Sequence, residues 1–176
     1  MIMKRFLLSL MMLSTFAFLT SAQKYGFVDT EYILGNIPEY EAAQEKLNEM
    51  SVEWQKEIEE KFAEIDKLYK AYQSESVLLP EDLKRQREEE IIQKERQAKE
   101  LQKQRFGQDG DLFKKRQELV KPIQDKVFNA IEEIATTKSY AFVFDKAGGM
   151  TMLYANPRYD LSDEVLRKIG NVVDTN

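Results

Sequence analysis

Neither histidine nor cysteine occurs in the 176 residues, which removes much chemistry before any pattern is sought. The usual zinc ligand sets, the imidazole acid–base group and the thiolate nucleophile each need one or the other. Carboxylates are plentiful, 31 Asp and Glu against 26 Lys and Arg. Yet runs such as Glu88-Glu89-Glu90 sit in a uniformly charged stretch, where such side chains form a solvated face. No glycine-rich loop that could cradle phosphates is present, so an ATP-driven cycle is not supported. The composition points away from an enzyme, a cofactor or a metal, and towards binding. Two sets of side chains could bind. Tyr69, Tyr72, Val77, Leu78, Leu79, Leu83, Ile91, Ile92, Leu101 and Phe106 offer scattered apolar contacts. Lys99, Lys103 and Arg105 could meet an anionic lipid or an acidic polypeptide segment. Each set has a plainer alternative. Tyr69 and Tyr72 could pack between paired helices, Val77-Leu78-Leu79 could staple a turn, and the three cations could be a solvated face.

The element that must position these residues runs from Glu39 to Lys138, a stretch dense in Glu, Lys, Gln and Arg with almost no strand signal. Its first part places Tyr40, Ala43, Leu47, Met50, Trp54, Ile58, Phe62, Ile65, Tyr69 and Tyr72 at steps of three and four. That is a narrow apolar stripe on an otherwise solvated helix, wide enough for one partner helix. The extra step of four around Trp54–Phe62 acts as a stutter that loosens any supercoil. Pro38, followed by Glu39 and Glu41, starts this helix; Pro80-Glu81-Asp82 starts the returning one. The result is an antiparallel helical hairpin with its tip near residues 73–80. From Lys84 to Arg105 apolar residues are few, and i,i+4 pairs such as Glu90–Lys94 and Glu95–Lys99 support the helix instead. This distal half is therefore expected to be bendable and weakly packed. Gly107 and Gly110 mark either a plain break or a flex point. Apolar spacing recovers at Leu112, Leu119, Ile123, Val127, Ala130 and Ile134, with a bend expected near Pro122.

The two ends of the chain read differently. Lys4 and Arg5, the apolar run Phe6–Leu19 and the small residues Thr20-Ser21-Ala22 form a secretory signal peptide over residues 1–22, with cleavage before Gln23. About fourteen apolar residues fall short of the roughly twenty that span a bilayer. Removing Lys4 and Arg5 leaves 24 basic against 31 acidic side chains, a net charge near −7. Such a balance disfavours nucleic acid as a partner. Tyr25–Asp29 reads as a strand, and Asp29 or Thr30 caps a one-turn helix over Glu31–Leu34. Tyr140–Phe144 and Met150–Tyr154 read as a β-hairpin turning at Asp145–Gly149. Ser162 is expected to cap a short final helix that Gly170 ends.

The fold class is therefore α+β: a small body from residues 23–38 and 139–176, and an arm over 39–138. Phe27, Val28, Phe142, Val143, Phe144, Met152, Leu153 and Tyr154 are the expected core of the body and of its contacts between copies. About fifty residues in three short strands, with no disulfide or metal, make a marginal body with open pairing edges. Several chains pooling their strands into one sheet or barrel would relieve both problems.

The order of parts resembles the Skp/OmpH family of periplasmic chaperones. The specific features are Tyr-Gly-Phe-Val-Asp at 25–29, Leu-Val-Lys-Pro-Ile-Gln at 119–124 and Tyr-Ala-Phe-Val-Phe-Asp at 140–145. The resemblance implies a homotrimer whose β-barrel body carries three helical arms around a cavity. That cavity would hold unfolded outer-membrane proteins in the periplasm without ATP, through dispersed contacts from the ten apolar residues named above. Weak contact of the cations with a membrane surface is a further expectation. Well-studied members are strongly basic, whereas this chain is acidic. The competing expectation is a coiled-coil spacer or adaptor of the cell envelope.

Overall fold

The computed structural model of the chain describes residues 23–149 and 152–170, so the signal peptide expected at 1–22 lies outside the described residues. Strand β1 (Lys24–Val28) leads into helix α1 (Thr30–Gly35). Asp29 caps α1 by accepting the Tyr32 N–H at 3.0 Å, while its other carboxylate oxygen pairs with Lys146 at 3.3 Å. The capping N–H, with Lys146 adding to it against a partial burial penalty, holds the Asp29 carboxyl below its ordinary value. Its stabilising contribution is thus present above the unfolded-state value and fades as pH falls through the lower folded one. Asp29→Ala is expected to cost about 1 kcal/mol at pH 7 in urea unfolding, and much less near pH 3.

Helix α2 spans Pro38–Glu75, 38 residues, with Pro38 in its first turn beside Glu39 and Glu41. At about 1.5 Å per residue it is a rod of roughly 57 Å. The chain turns back over residues 76–80 and returns as α3 (Glu81–Phe106), α4 (Asp111–Leu119) and α5 (Lys121–Thr137). Cross-helix contacts fix the direction of the return. Tyr72 meets Glu88, Glu64 meets Lys94 and Glu57 meets Arg105, so one number rises as the other falls. The hairpin is antiparallel. The bend expected near Pro122 falls at Val120, between α4 and α5, where a residue without an N–H enters the first turn of the new helix.

Strand β2 (Tyr140–Asp145) pairs with β1 in parallel, with Phe27 opposite Phe144 and Gly26 opposite Val143. The two ends of the chain thus share one small sheet. The β-hairpin expected after β2 is corrected. Met152, Leu153 and Tyr154 are not in a strand, and Met150 and Thr151 lie outside the described residues. The physical reason is the turn itself. The Lys146 N–H donates to the Val28 carbonyl at 2.7 Å, and the Asp145 carboxylate accepts the Thr30 N–H and hydroxyl and the Ala147 N–H. These bonds tie the chain to the end of β1 rather than folding it back along β2. It then reaches the other edge of β1, where Asp160 pairs with Phe27 and the Leu161 N–H donates to the Phe27 carbonyl at 2.9 Å.

Helix α6 (Ser162–Ile169) closes the body and ends at Gly170, whose φ of +82° suits glycine. The sequence expectation that Ser162 caps this helix is corrected: it is the first helical residue and is buried. Asp160 accepts its N–H and hydroxyl, freeing the Ser162 oxygen to accept the Asp29 N–H at 2.9 Å. The body core lies between the sheet, α1, α5 and α6, centred on Val28, Ile33, Ile134, Leu161 and Val165.

Candidate functional site

The arm is held by a thin seam. Near the body Ala43 and Leu47 pack on Val120; towards the tip Ile65 packs on Ile91 and the fully buried Ala98, flanked by Leu68 and Tyr72. Two residues of the stripe, Phe62 and Tyr69, fall outside this seam and are exposed. A stutter explains them: after Ile58 the period drifts, so alternate residues of the stripe, Phe62 and Tyr69, miss the partner while Ile65 and Tyr72 meet it.

The charges sort in the same way. Glu95–Lys99 forms along α3 at 3.7 Å as expected, but Lys94 does not pair with Glu90. It crosses the seam to Glu64 at 2.7 Å, while Glu90 pairs with Arg87 at 3.2 Å. The cross-seam bond holds the Glu64 carboxyl below and the Lys94 amine above their ordinary values.

Of the expected apolar contacts, Val77 and Leu78 are 88% and 86% exposed at the tip, so they do not staple the turn. Tyr69, Leu83 and Ile92 are also exposed, and Leu79 and Leu101 are half-buried. Ile91 is corrected: it is buried in the seam and has no surface to offer. Tyr72 donates its hydroxyl to Glu88 and packs against the seam, and Phe106 stands edge-on to Trp54 with ring centres 6.4 Å apart. Arg105 is corrected as well. It is no solvated cation but lies over the Trp54 ring, 4.7 Å from its centre, and pairs with Asp111 and Glu57. Lys99 and Lys103 remain on the surface, beside Ile92 and Arg96, along a shallow groove of α3.

In the body Phe27 and Val28 are buried, and Val143 and Phe144 partly so. Phe142 is 56% exposed, stacked between Tyr25 at 6.0 Å and Phe144 at 6.2 Å. Leu153 and Tyr154 are exposed too. Beside this aromatic face opens a hollow of about 550 Å³ lined by Tyr25, Phe27, Phe144, Met152, Tyr154 and Tyr159. The sequence did not reveal the Trp54–Glu57–Arg105–Asp111 group. The signal available was the single tryptophan of the chain, set at hairpin spacing from the Gly107–Gly110 break.

Among the described residues there is no cluster of potential metal ligands and no helix long and apolar enough to cross a membrane. The site is thus a long, charged surface carrying isolated apolar side chains, joined to a small body with an aromatic flank. These features define a protein of the helical-arm type, a small body carrying a long charged hairpin. The family model for OmpH-like outer membrane proteins matches residues 24–169, and the chain belongs to that family. It is not a family of enzymes. The chain is 29% identical over 168 residues to an uncharacterized protein of Aquifex aeolicus (strain VF5), covering 96% of this chain and 97% of that one. Its fold is similar to the crystal structure of a proposed outer membrane chaperone (OmpH-like) from Caulobacter crescentus CB15. That likeness has a TM-score of 0.66 at 15% identity and covers 89% of each chain.

Proposed function

We propose that this protein is a chaperone of the cell envelope: an ATP-independent holdase that keeps unfolded outer-membrane proteins soluble in the periplasm. The observation that carries this reading is the isolation of the exposed apolar residues. Tyr69, Leu83 and Ile92 stand out singly from a charged surface, and Val77 and Leu78 as a pair at the tip, instead of forming a dry pocket. Each can bury only a side chain's worth of area, worth about 1–3 kcal/mol at most. A client is then held by many weak, exchangeable contacts that add through effective concentration, and no one pose is fixed. Family membership supports the same reading. The chain acts as a homotrimer, with the aromatic flank of each body against the next copy and the arms around a shared cavity. Lys103, and Lys99 beyond its pairing with Glu95, are the cations offered to anionic client segments or a membrane surface.

The test is dilution of a barrel protein from urea into buffer without nucleotide. The protein is expected to suppress its light scattering near stoichiometric ratios. Replacing Val77, Leu78 and Ile92 together by Ser should weaken client affinity about tenfold, roughly 1.4 kcal/mol, with unchanged helix content. No suppression at any molar ratio would refute the reading, and saturable binding to one folded envelope protein would favour a spacer instead.

A further inference from the structure

The joint between α3 and α4 combines features that neither helix needs for itself. Arg105, in the last turn of α3, lies with its guanidinium carbon 4.7 Å from the centre of the Trp54 ring. One terminal nitrogen donates to Asp111, in the first turn of α4, at 2.8 Å; the other reaches Glu57 of α2 at 3.5 Å. One side chain therefore ties all three helices that meet there. Trp54, Arg105 and Asp111 belong to neither buried cluster of the seam. At this level the arm has, beside the buried Ile58, a cation stacked on a ring and flanked by two carboxylates.

The glycines of the joint serve this packing. Gly107 and Gly110 have φ of −64° and −72° with extended ψ, a conformation open to any residue. What they need is space. A Cβ on Gly107 would lie 2.4 Å from the Lys103 carbonyl oxygen, and one on Gly110 2.7 Å from that of Gln104. Both neighbours are backbone and cannot swing aside. The glycines let α4 start pressed against the end of α3, which brings Asp111 within reach of Arg105. The position is tight rather than loose.

We propose that this joint is an ionic latch: Arg105, held by Trp54, Glu57 and Asp111, locks the outer arm to its root, and releasing Arg105 frees the outer arm to swing. The latch is poised rather than permanent. The Arg105 Nε is buried without a hydrogen-bond partner, so the guanidinium is held by stacking and two carboxylates alone. Removing either Asp111 or the ring leaves a partly buried cation with little to keep it there. Glu57 and Asp111 are 42% and 24% exposed, within reach of salt and of competing cations. A polycationic segment offered to these carboxylates would compete with Arg105 directly, coupling occupancy of the arm to its freedom of motion. The proposal does not depend on the holdase reading.

Trp54 is the only tryptophan, so its fluorescence reports the latch alone. In the full protein, Arg105→Gln and Asp111→Asn should each red-shift its emission and raise its quenching by acrylamide about twofold or more, as the covering guanidinium leaves the ring. Far-UV circular dichroism should not change. Because the chain lacks cysteine, spin labels placed by Ser76→Cys and Arg158→Cys, diluted among unlabelled chains, give the tip-to-body distance. That distribution should broaden in both variants and also in Gly107→Ala, which keeps Arg105 but forces the joint apart. An unchanged distance distribution in all three overturns the proposal, as does unaltered Trp54 quenching in Arg105→Gln.

Discussion

If the chain assembles as proposed, Phe142→Asp is expected to leave it as single chains. Phe142 is 56% exposed in the lone chain although it sits in the middle of a strand, stacked between Tyr25 and Phe144. A monomer gains nothing from such a surface, whereas a neighbouring copy seated on it would bury the ring. Full burial of a phenylalanine side chain is worth about 1.5–3 kcal/mol. An unpaired carboxylate in its place would add a desolvation cost of several kcal/mol. A loss of about 5 kcal/mol at each contact is between three and four powers of ten in association. Because a cyclic assembly repeats the contact in every copy, the loss recurs around the ring. Sedimentation at micromolar concentration should show the mass falling to at most 20.6 kDa, that of one full chain. Helix content should stay, since the ring contributes nothing to the core on the other face of the sheet. A mass unchanged from the unsubstituted protein would remove the shared-body reading and, with it, the cavity between arms.

The long elements were legible because their signals are redundant. Pro38 with two acids after it, a stripe at steps of three and four, and a second Pro-Glu-Asp start each point to the same hairpin, and the structure places α2 and α3 accordingly. The failures cluster where a long-range partner decides. Met152–Tyr154 carries strand-forming residue types, yet the backbone bond from Lys146 to Val28 and the capping role of Asp145 draw the chain across the end of β1. Nothing local to Met152 encodes that. Ser162 likewise has the composition of a cap, but a residue 133 positions earlier claims its oxygen. At the candidate site, the sequence left Val77 and Leu78 open between an exposed tip and a staple for the turn, and the turn leaves both exposed. The burial of Ile91 and not Ile92 depends on the angle at which α3 meets α2, a quantity the sparse pattern of α3 does not set. Arg105 was the hardest to place. A cation in a run of cations carries no mark of the ring it lies upon.

Removing the same three carbons from Ile33 and from Ile91 should have two different outcomes, and the contrast tests how the molecule divides. Ile33 is 0% exposed and packs in the body core with Val28 and Val165, where α1, α5 and α6 meet the sheet. Each of those neighbours is held by an element of its own, so the void left by Ile33→Ala cannot collapse. The expected cost is about 2–5 kcal/mol. Against a total of roughly 5–15 kcal/mol for a small protein, that is a large share. The urea midpoint of the whole molecule should fall by about 1–2 M. Ile91 is almost as buried, at 7%, but its cluster holds only Ile65 and Ala98, with Leu68 and Tyr72 at its margin. No contact from that cluster reaches the body. Ile91→Ala should therefore release the outer hairpin locally: amides between residues 60 and 100 exchange faster while those of β1, α5 and α6 keep their protection. The arm would open at its far end first, where the seam is thinnest and the exposed apolar side chains are gathered. If Ile91→Ala lowers the global midpoint as far as Ile33→Ala does, body and arm unfold as one unit. In that case the outer arm could not loosen while the body stays folded.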